Sequence, residues 1–179
     1  YVSANSLGAA VLLQEVIARK GQIARMVVAS SMSIYGEGAY VDAAGRPASP
    51  GLRPDSQLEK REWELRDEAG HELRAIGTPE TKPLLPTSVY AVTKRDHEEL
   101  FLAVGNAYRI PTVALRYFNV YGSRQALSNP YTGVAAIFSS RLLNGKPPLV
   151  TEDGLQSRDF VHVSDIVRAN LLALRCEAA

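Results

Sequence analysis

A tyrosine and a lysine stand one helical turn apart in this sequence, as Tyr90-x-x-x-Lys94. Side chains four residues apart lie on one face of a helix, so the Lys94 ammonium can favour the phenolate form of Tyr90. An ordinary tyrosine has a pKa of about 10 and holds little phenolate at neutral pH. With the hydroxyl of Ser31 upstream, the pair could take a proton from an alcohol while a hydride leaves its carbon. The alternative is that Tyr90 only packs and Lys94 is only solvated, because one such pair is a weak signal.

The composition excludes several classes of function. The chain has 179 residues, 46% of them hydrophobic, which suits one domain or a piece of one. Its 20 basic and 19 acidic residues form no basic block, so we predict no nucleic-acid partner. With Cys176 as the single cysteine and no long apolar run, we predict no metal site, no membrane partner and a cytoplasmic location.

Apolar periodicity predicts helices that alternate with short β-rich segments, which is typical of an α/β layer fold. Pro111 precedes one such segment, and Ser164 is the predicted N-cap of the last helix. The predicted helices are residues 4–19, 89–107, 134–144 and the segment after 163, and the predicted strands are residues 26–29, 112–118, 148–150 and 160–163. Between the first strand and the second helix, residues 37–82 are rich in proline and mixed charges, and we interpret them as an insertion.

Polar and aromatic side chains follow two of the predicted strands. Ser30 and Ser31 end the first strand, and residues 117–119 end the second. In parallel sheets, ligands bind at the carboxyl ends of the strands. We therefore expect these residues and the Tyr90 helix to face the same crevice.

Separated segments, in order along the chain, resemble the extended short-chain dehydrogenase/reductase superfamily and its NAD-dependent epimerase/dehydratase family, particularly UDP-glucose 4-epimerases. The matching segments are Tyr1-x-x-Asn5-x-x-Gly8-Ala9, Ser30-Ser31-x-x-Ile34-Tyr35-Gly36, Tyr90-x-x-x-Lys94, Leu115-Arg116-Tyr117-Phe118-Asn119-Val120-Tyr121-Gly122 and Ser157-Arg158-Asp159-Phe160-Val161-His162-Val163-Ser164-Asp165. The resemblance implies a Rossmann-like doubly wound parallel sheet, NAD as cofactor and a nucleotide-diphosphate sugar as substrate.

The resemblance also implies a role for each matching residue. Ser31 would orient the substrate, Tyr90 would exchange the proton, and Lys94 would bind the nicotinamide ribose. Tyr117 and Phe118 would border the nicotinamide, with Asn5 and Ser30 also on the cofactor side. On the substrate side, the resemblance implicates Ser31, Met32, Ser33, Asn119 and Arg158.

Some of these residues have a plain structural alternative. Asn119 could be a residue of a turn at a strand end. Arg158 and Asp159 could form a surface ion pair that contributes little. We interpret His162 as structural, since a lone histidine in a β-rich segment usually packs and hydrogen-bonds.

The resemblance further implies a domain organisation. Residues 1–125 would be the latter part of the NAD-binding domain, and residues 126–179 would mix elements of a smaller substrate lobe with a return to the Rossmann-like domain. The Gly-rich cofactor turn of the family would precede Tyr1. The insertion at residues 37–82 is similar in placement to one in enzymes resembling dTDP-L-rhamnose 4-epimerase. A homodimer would form through the helices at residues 4–19 and 89–107.

The residues after Ser31 favour one reaction of the family over others. Dehydratases and decarboxylases of the family carry a carboxylic acid here, whereas this chain has Met32 and Ser33. Without an acid/base pair for elimination, the hypothesis is epimerisation at C4 of the sugar, by transient oxidation and return of the hydride to the opposite face. Two alternatives stay open: a nucleotide-4-keto-sugar reductase, and a non-catalytic sugar-nucleotide-binding protein.

Overall fold

The computed structural model describes residues 1–126 and 133–176. The helices are α1 (Gly8–Ala18), α2 (Asp55–Glu59), α3 (Val89–Tyr108), α4 (Val134–Leu143) and α5 (Val163–Arg175). The strands are β1 (Met26–Ser31), β2 (Ala39–Val41), β3 (Pro47–Ala48), β4 (Arg74–Ile76), β5 (Thr112–Tyr117), β6 (Asn119–Tyr121) and β7 (Phe160–His162). Short helical turns occupy Ser3–Leu7, Lys20–Gln22 and Met32–Tyr35. The predicted alternation of helices and strands is confirmed.

The central pair of strands is parallel and brings two strand ends together. β1 pairs with β5 from Met26 opposite Thr112 to Ser31 opposite Tyr117. The connection between them includes α3, as a parallel pair requires a long crossover. Ser31 and Tyr117 are therefore neighbours at the same edge of the sheet.

The core lies between this sheet and the helices α1 and α3. Buried side chains from both helices and from β1 form one cluster, which consists of Ala9, Leu13, Met26, Val28, Phe101 and Ile110. Gly105 allows α3 to approach the start of β5 closely, because a Cβ there would lie 2.1 Å from Thr112 Oγ1. The packing of α3 on β1 and β5 thus positions Tyr90, at the start of the helix, relative to the ends of the two strands.

A second parallel pair, β6 with β7, lies next to the cleft. In the segment between α4 and α5, two predictions from the sequence are wrong. Residues 148–150 are not a strand, since Leu149 and Val150 are exposed and the preceding prolines lack N–H groups for a ladder. The last helix is capped by His162 rather than by Ser164, because the imidazole of His162 accepts a hydrogen bond from the Ser164 backbone N–H at 3.3 Å. This bond gives His162 the structural role that the sequence suggested.

The insertion folds as a small antiparallel sheet with strand order β3-β2-β4. Its apolar side chains Val41, Leu65 and Leu73 are buried. Lys82, at its end, is also buried, and its Nζ donates to the Tyr35 carbonyl oxygen at 2.9 Å. Burial lowers the pKa of Lys82. The insertion is therefore attached to the turn that follows β1.

Candidate functional site

A cleft of about 440 Å³ opens at the carboxyl ends of β1 and β5. Its walls are formed by the ends of both strands, the first turn of α3, the start of α4 and β7. The predicted site residues on these walls are Ser31, Met32, Ser33, Tyr90, Tyr117, Phe118 and Asn119. The structure thus brings together residues that are up to 88 positions apart in the sequence.

Ser31 ends β1 and holds the turn that follows it. Its Oγ accepts a hydrogen bond from the Ser33 backbone N–H at 3.2 Å and donates to Ser33 Oγ at 3.1 Å. The turn ends at Gly36, which has a φ of 69°, and a Cβ there would lie 2.1 Å from the Leu85 carbonyl oxygen. This glycine and the Ser31 cap keep the hydroxyl groups of Ser31 and Ser33 at the cleft.

Tyr90 and Lys94 lie at the start of α3. The helix begins after Ser88, whose Oγ accepts from the Ala91 N–H at 3.1 Å, and Tyr90 is half-buried in the first turn. Lys94 Nζ donates to the carbonyl oxygen of Ala29 at 2.7 Å, and burial lowers the pKa of this lysine. The amine is therefore fixed to β1 two residues before Ser31. Lys94 lies behind the cleft wall and does not line the cleft itself.

Asn5 supports the first turn of α3 through a chain of hydrogen bonds. Its Nδ2 donates to Thr93 Oγ1 at 3.0 Å, and Thr93 Oγ1 donates to the Tyr90 carbonyl oxygen at 2.9 Å. Thr93 is buried, so both bonds are shielded from water. Asn5 thus holds the first turn of α3, and its assignment to the cofactor side stays a prediction.

Tyr117 and Asn119 are both held by neighbouring segments. The Tyr117 hydroxyl donates to Asn170 Oδ1 in α5 at 2.9 Å, which fixes the ring at the cleft edge. Asn119 begins β6, and its Nδ2 donates to the Asp159 carbonyl oxygen at 3.2 Å and contacts Met32 Sδ at 3.6 Å. These contacts make Asn119 a link between the two parallel pairs. To bind a diphosphate, it would have to exchange these contacts for phosphate oxygens.

Arg158 lies outside the cleft wall. It is exposed, and its Nη1 donates to the Ser157 carbonyl oxygen at 2.7 Å. In the described part of the chain no ion pair joins Arg158 to Asp159, so that structural alternative finds no support. Its role in binding substrate stays a prediction, and this role would require Arg158 to turn toward the cleft.

The sequence analysis missed a buried ion pair beneath the site. Glu98 of α3 accepts hydrogen bonds from Arg116 of β5, with Arg116 Nη2 at 2.6 Å from Glu98 Oε1 and Nε at 3.1 Å from Oε2. Arg116 Nη1 also donates to the Tyr35 hydroxyl at 2.7 Å. Burial alone would raise the pKa of Glu98, but the hydrogen bonds and the positive charge of Arg116 outweigh it and lower the pKa. The hydrogen bonds with Glu98 raise the pKa of Arg116.

This network connects the elements that carry the site. It joins α3, β5 and the turn after β1, so it fixes Tyr90 relative to the strand ends. Ser30, opposite Arg116 in the strand pair, is buried, and its contact with a cofactor stays a prediction. The available signal was Arg116 itself, a charged residue inside a β-rich segment that needs a partner if buried.

Residues 1–126 and 133–176 contain neither a membrane-spanning helix nor a cluster of metal ligands. Across those residues, no helix is both long enough and apolar enough to cross a membrane. Over the same ranges, no group of three or more His, Cys, Asp or Glu side chains could hold a metal ion.

Known proteins resemble the chain over nearly its whole length. A dTDP-L-rhamnose 4-epimerase from Burkholderia thailandensis is 35% identical over 97% of this chain and 47% of its own length. The solved structure of a UDP-N-acetylglucosamine 4-epimerase from Methanobrevibacter ruminantium, in complex with UDP-N-acetylmuramic acid, superposes with a TM-score of 0.73 at 29% identity. The match covers 99% of this chain and 45% of that one. A UDP-glucose 4-epimerase from Thermus thermophilus, solved in complex with NAD, gives a TM-score of 0.64 at 31% identity. The match covers 97% of this chain and 46% of that one.

These similarities agree with the fold. The chain spans less than half the length of these three relatives. The predicted fold class, a Rossmann-like α/β fold of the extended short-chain dehydrogenase/reductase type, is confirmed. The model of the family described as "NAD dependent epimerase/dehydratase family" matches residues 68–179, more than half of the chain. The protein therefore belongs to the NAD-dependent epimerase/dehydratase family.

Proposed function

We propose that the protein is an NAD-dependent nucleotide-sugar 4-epimerase. The observation that carries the proposal is the meeting of Ser31 and Tyr90 on one cleft, with the amine of Lys94 fixed to Ala29 behind them. The relatives named above, which are 4-epimerases acting on different sugars, support the reaction type without selecting a substrate.

The residues around the cleft fit NAD. The rings of Tyr117 and Phe118 border the cleft and offer flat surfaces for a nicotinamide. An ammonium has three N–H donors, and Lys94 commits one of them to Ala29, which leaves donors for ribose hydroxyls. Tyr90 would lie beside the same ribose. When bound, NAD supplies an acceptor that takes up a hydride from the sugar and returns it.

The protein's own residues move the proton and hold the sugar. Tyr90 in its phenolate form accepts the proton of the 4-hydroxyl group and gives it back after the sugar has turned. Lys94, one turn further along the same helix face, would carry its positive charge on this side of α3. Ser31 holds the sugar by a hydrogen bond to the reacting oxygen, because its hydroxyl is kept in place by Ser33.

The lining of the cleft supports epimerisation over elimination of water. Among the described residues that line it, none is an aspartate or a glutamate. Met32 and Ser33 occupy the positions after Ser31, and both are engaged in contacts with Asn119 and Ser31. A proton transfer at C5 and C6 of the sugar would therefore lack an acid and a base.

We also propose that the protein acts as a homodimer in the cytoplasm. Exposed apolar side chains on α1 and α3, including Val11, Leu12 and Val92, support a contact between these helices and those of a second copy. Light scattering of the full-length protein tests the dimer, and a monomer at micromolar concentration would contradict it. Cell fractionation tests the location, which rests on the low cysteine content.

The test of the reaction is an assay of the full-length protein with NAD against UDP-, dTDP- and GDP-hexoses, with NMR detection of the 4-epimer. We expect interconversion with no net change in NADH. Tyr90→Phe should reduce turnover at least about 100-fold while circular dichroism stays unchanged. Tyr108→Phe, at the exposed far end of the same helix, is the matched control and should keep full activity.

Three outcomes would contradict the proposal. Undiminished activity of Tyr90→Phe would remove Tyr90 from the mechanism. Stoichiometric consumption of NADH or NADPH with a 4-keto sugar would indicate a reductase. Binding of nucleotide sugars without any conversion would indicate a non-catalytic binding protein.

A further inference from the structure

An ion pair joins the insertion to a distant loop, residues 151–158, which we call the 151–158 loop. Arg53 of the insertion donates from Nη2 to Glu152 Oε1 at 2.9 Å and from Nη1 to Oε2 at 3.1 Å. Both side chains are about three-quarters shielded from solvent, with 23% and 25% exposed. Such two-point contacts are stronger and more directional than single surface ion pairs. The hydrogen bonds to Glu152 raise the pKa of Arg53, and they lower the pKa of Glu152.

Both ends of this ion pair are held in place. Arg53 Nη1 also donates to the Trp63 carbonyl oxygen at 3.0 Å, which ties the guanidinium to the body of the insertion. Glu152 has a φ of 55°, a backbone conformation that residues other than glycine rarely adopt. Its Oε2 also accepts from Gln156 Nε2 at 3.0 Å. An unusual backbone conformation persists where surrounding contacts enforce it, and Arg53 supplies such contacts from outside the loop.

The other end of the 151–158 loop leads directly into the cleft. Asp159 follows the loop, and its carbonyl oxygen accepts from the Asn119 backbone N–H at 3.1 Å. Phe160, the next residue, lines the cleft. The loop therefore runs from the insertion to the cleft wall, and Arg158 lies on its last position.

The positive charge of Arg158 acts on Tyr40 of the insertion and on Glu152. Burial and the carboxylates of Glu37 and Glu64 raise the pKa of Tyr40, while the charges of Arg53 and Arg158 act in the opposite direction. Arg158 also contributes to the lowered pKa of Glu152, after Arg53 and Gln156. The guanidinium of Arg158 is thus near enough to the insertion to act on Tyr40. Arg158 is also two residues before Phe160, which lines the cleft.

We propose that Arg53 is a positioning residue: through Glu152 it holds the 151–158 loop so that Arg158 can reach the diphosphate of the substrate. This inference rests on the proposed function, because it takes Arg158 as a substrate residue. It gives the insertion a role in nucleotide-sugar affinity. Arg53 contacts no reacting atom, so the chemical step itself does not depend on it.

The experiment compares Arg53→Ala and Glu152→Gln with wild type in the full-length protein. We expect faster hydrogen–deuterium exchange in residues 151–158 and a rise of about tenfold in KM for the nucleotide sugar, with kcat within about twofold. The Kd for UDP or dTDP, whichever wild type binds, should rise similarly in calorimetry. The double variant Arg53→Glu/Glu152→Arg restores the ion pair with reversed polarity and should recover most of the affinity.

Arg46→Ala is the matched control, because its ion pair with Asp42 lies within the turn between β2 and β3. It should leave exchange, KM and Kd unchanged. Unchanged exchange of the loop in both Arg53→Ala and Glu152→Gln would overturn the inference, and so would faster exchange with unchanged KM and Kd. Hydrogen–deuterium exchange and the Kd for UDP or dTDP can be measured without turnover. If the wild-type protein converts none of the hexoses, the proposed function is refuted, but these two measurements still decide the inference about Arg53.

Discussion

Removing the charge of Glu98 should destabilise the protein far more than removing the charge of its neighbour Glu99. The Glu98 side chain is only 3% exposed and its partner Arg116 is 22% exposed. Breaking a buried ion pair leaves the other charge without compensation, and this typically costs about 3–5 kcal/mol. For a domain of this size, about 1 kcal/mol shifts Tm by about 2–4 °C, so Glu98→Gln should lower Tm by about 6–20 °C.

Glu99 provides the matched control at the adjacent position of the same helix. Its ion pair with Arg95 is a surface pair, in which the two side chains are 55% and 41% exposed. Such pairs contribute about 0.2–1 kcal/mol, so Glu99→Gln should change Tm by less than about 4 °C. The measurement is thermal and urea denaturation of full-length wild type and both variants at pH 7.

The pH dependence supplies a second test of the same ion pair. The pKa of Glu98 is lowered in the folded state from an ordinary value of 4.5. A lowered carboxylate pKa contributes stability that is fully present above the unfolded-state pKa and is lost as pH falls through the folded-state pKa. The difference in the free energy of unfolding between wild type and Glu98→Gln should thus be constant at neutral pH and shrink below about pH 4.5. Equal stabilities of the two variants at pH 7, or a difference that grows in acid, would refute the reasoning.

Two further substitutions test the packing and the site. Gly105→Ala should lower the free energy of unfolding by about 1–3 kcal/mol in urea denaturation, because the new Cβ would lie 2.1 Å from Thr112 Oγ1. Gly21→Ala is the control and should not destabilise the protein, because a Cβ at Gly21 would have no atom within 4 Å. A well-tolerated Gly105→Ala would mean that α3 is not closely packed on β5. Lys94→Met should reduce kcat at least about 100-fold. It should lower the free energy of unfolding by only about 1 kcal/mol, because the hydrogen bond to Ala29 is lost. An unchanged kcat would exclude Lys94 from the mechanism.

The local features of the site could be predicted because they depend on short stretches of sequence. Helix geometry alone places Tyr90 and Lys94 on one face of α3, and the observed helix differs from the predicted one by a single residue at its end. Strand β5 begins after Pro111 as expected. The parallel arrangement of β1 and β5 followed from the helix between them, so the meeting of Ser31 with Tyr117 was foreseen.

The errors arose where local sequence permits more than one outcome. Residues 148–150 are apolar enough for a strand, but two prolines and the lack of a pairing edge leave them exposed. At the start of α5, Ser164 and His162 could both cap the helix, and the pairing of His162 in β7 places its ring over the first turn. Neither choice can be made from the segment itself.

By itself, the sequence determined the fold class, the helix that carries Tyr90, the two strands whose ends meet at the cleft, and the residue types at those ends. Only the tertiary structure decided which charges pair between residues far apart in the sequence. Glu98 meets Arg116 across 18 residues and Arg53 meets Glu152 across 99, and no spacing rule relates such partners. The physical reason is that helical and strand periodicities act over a few residues, whereas an ion pair between elements depends on how those elements pack in three dimensions.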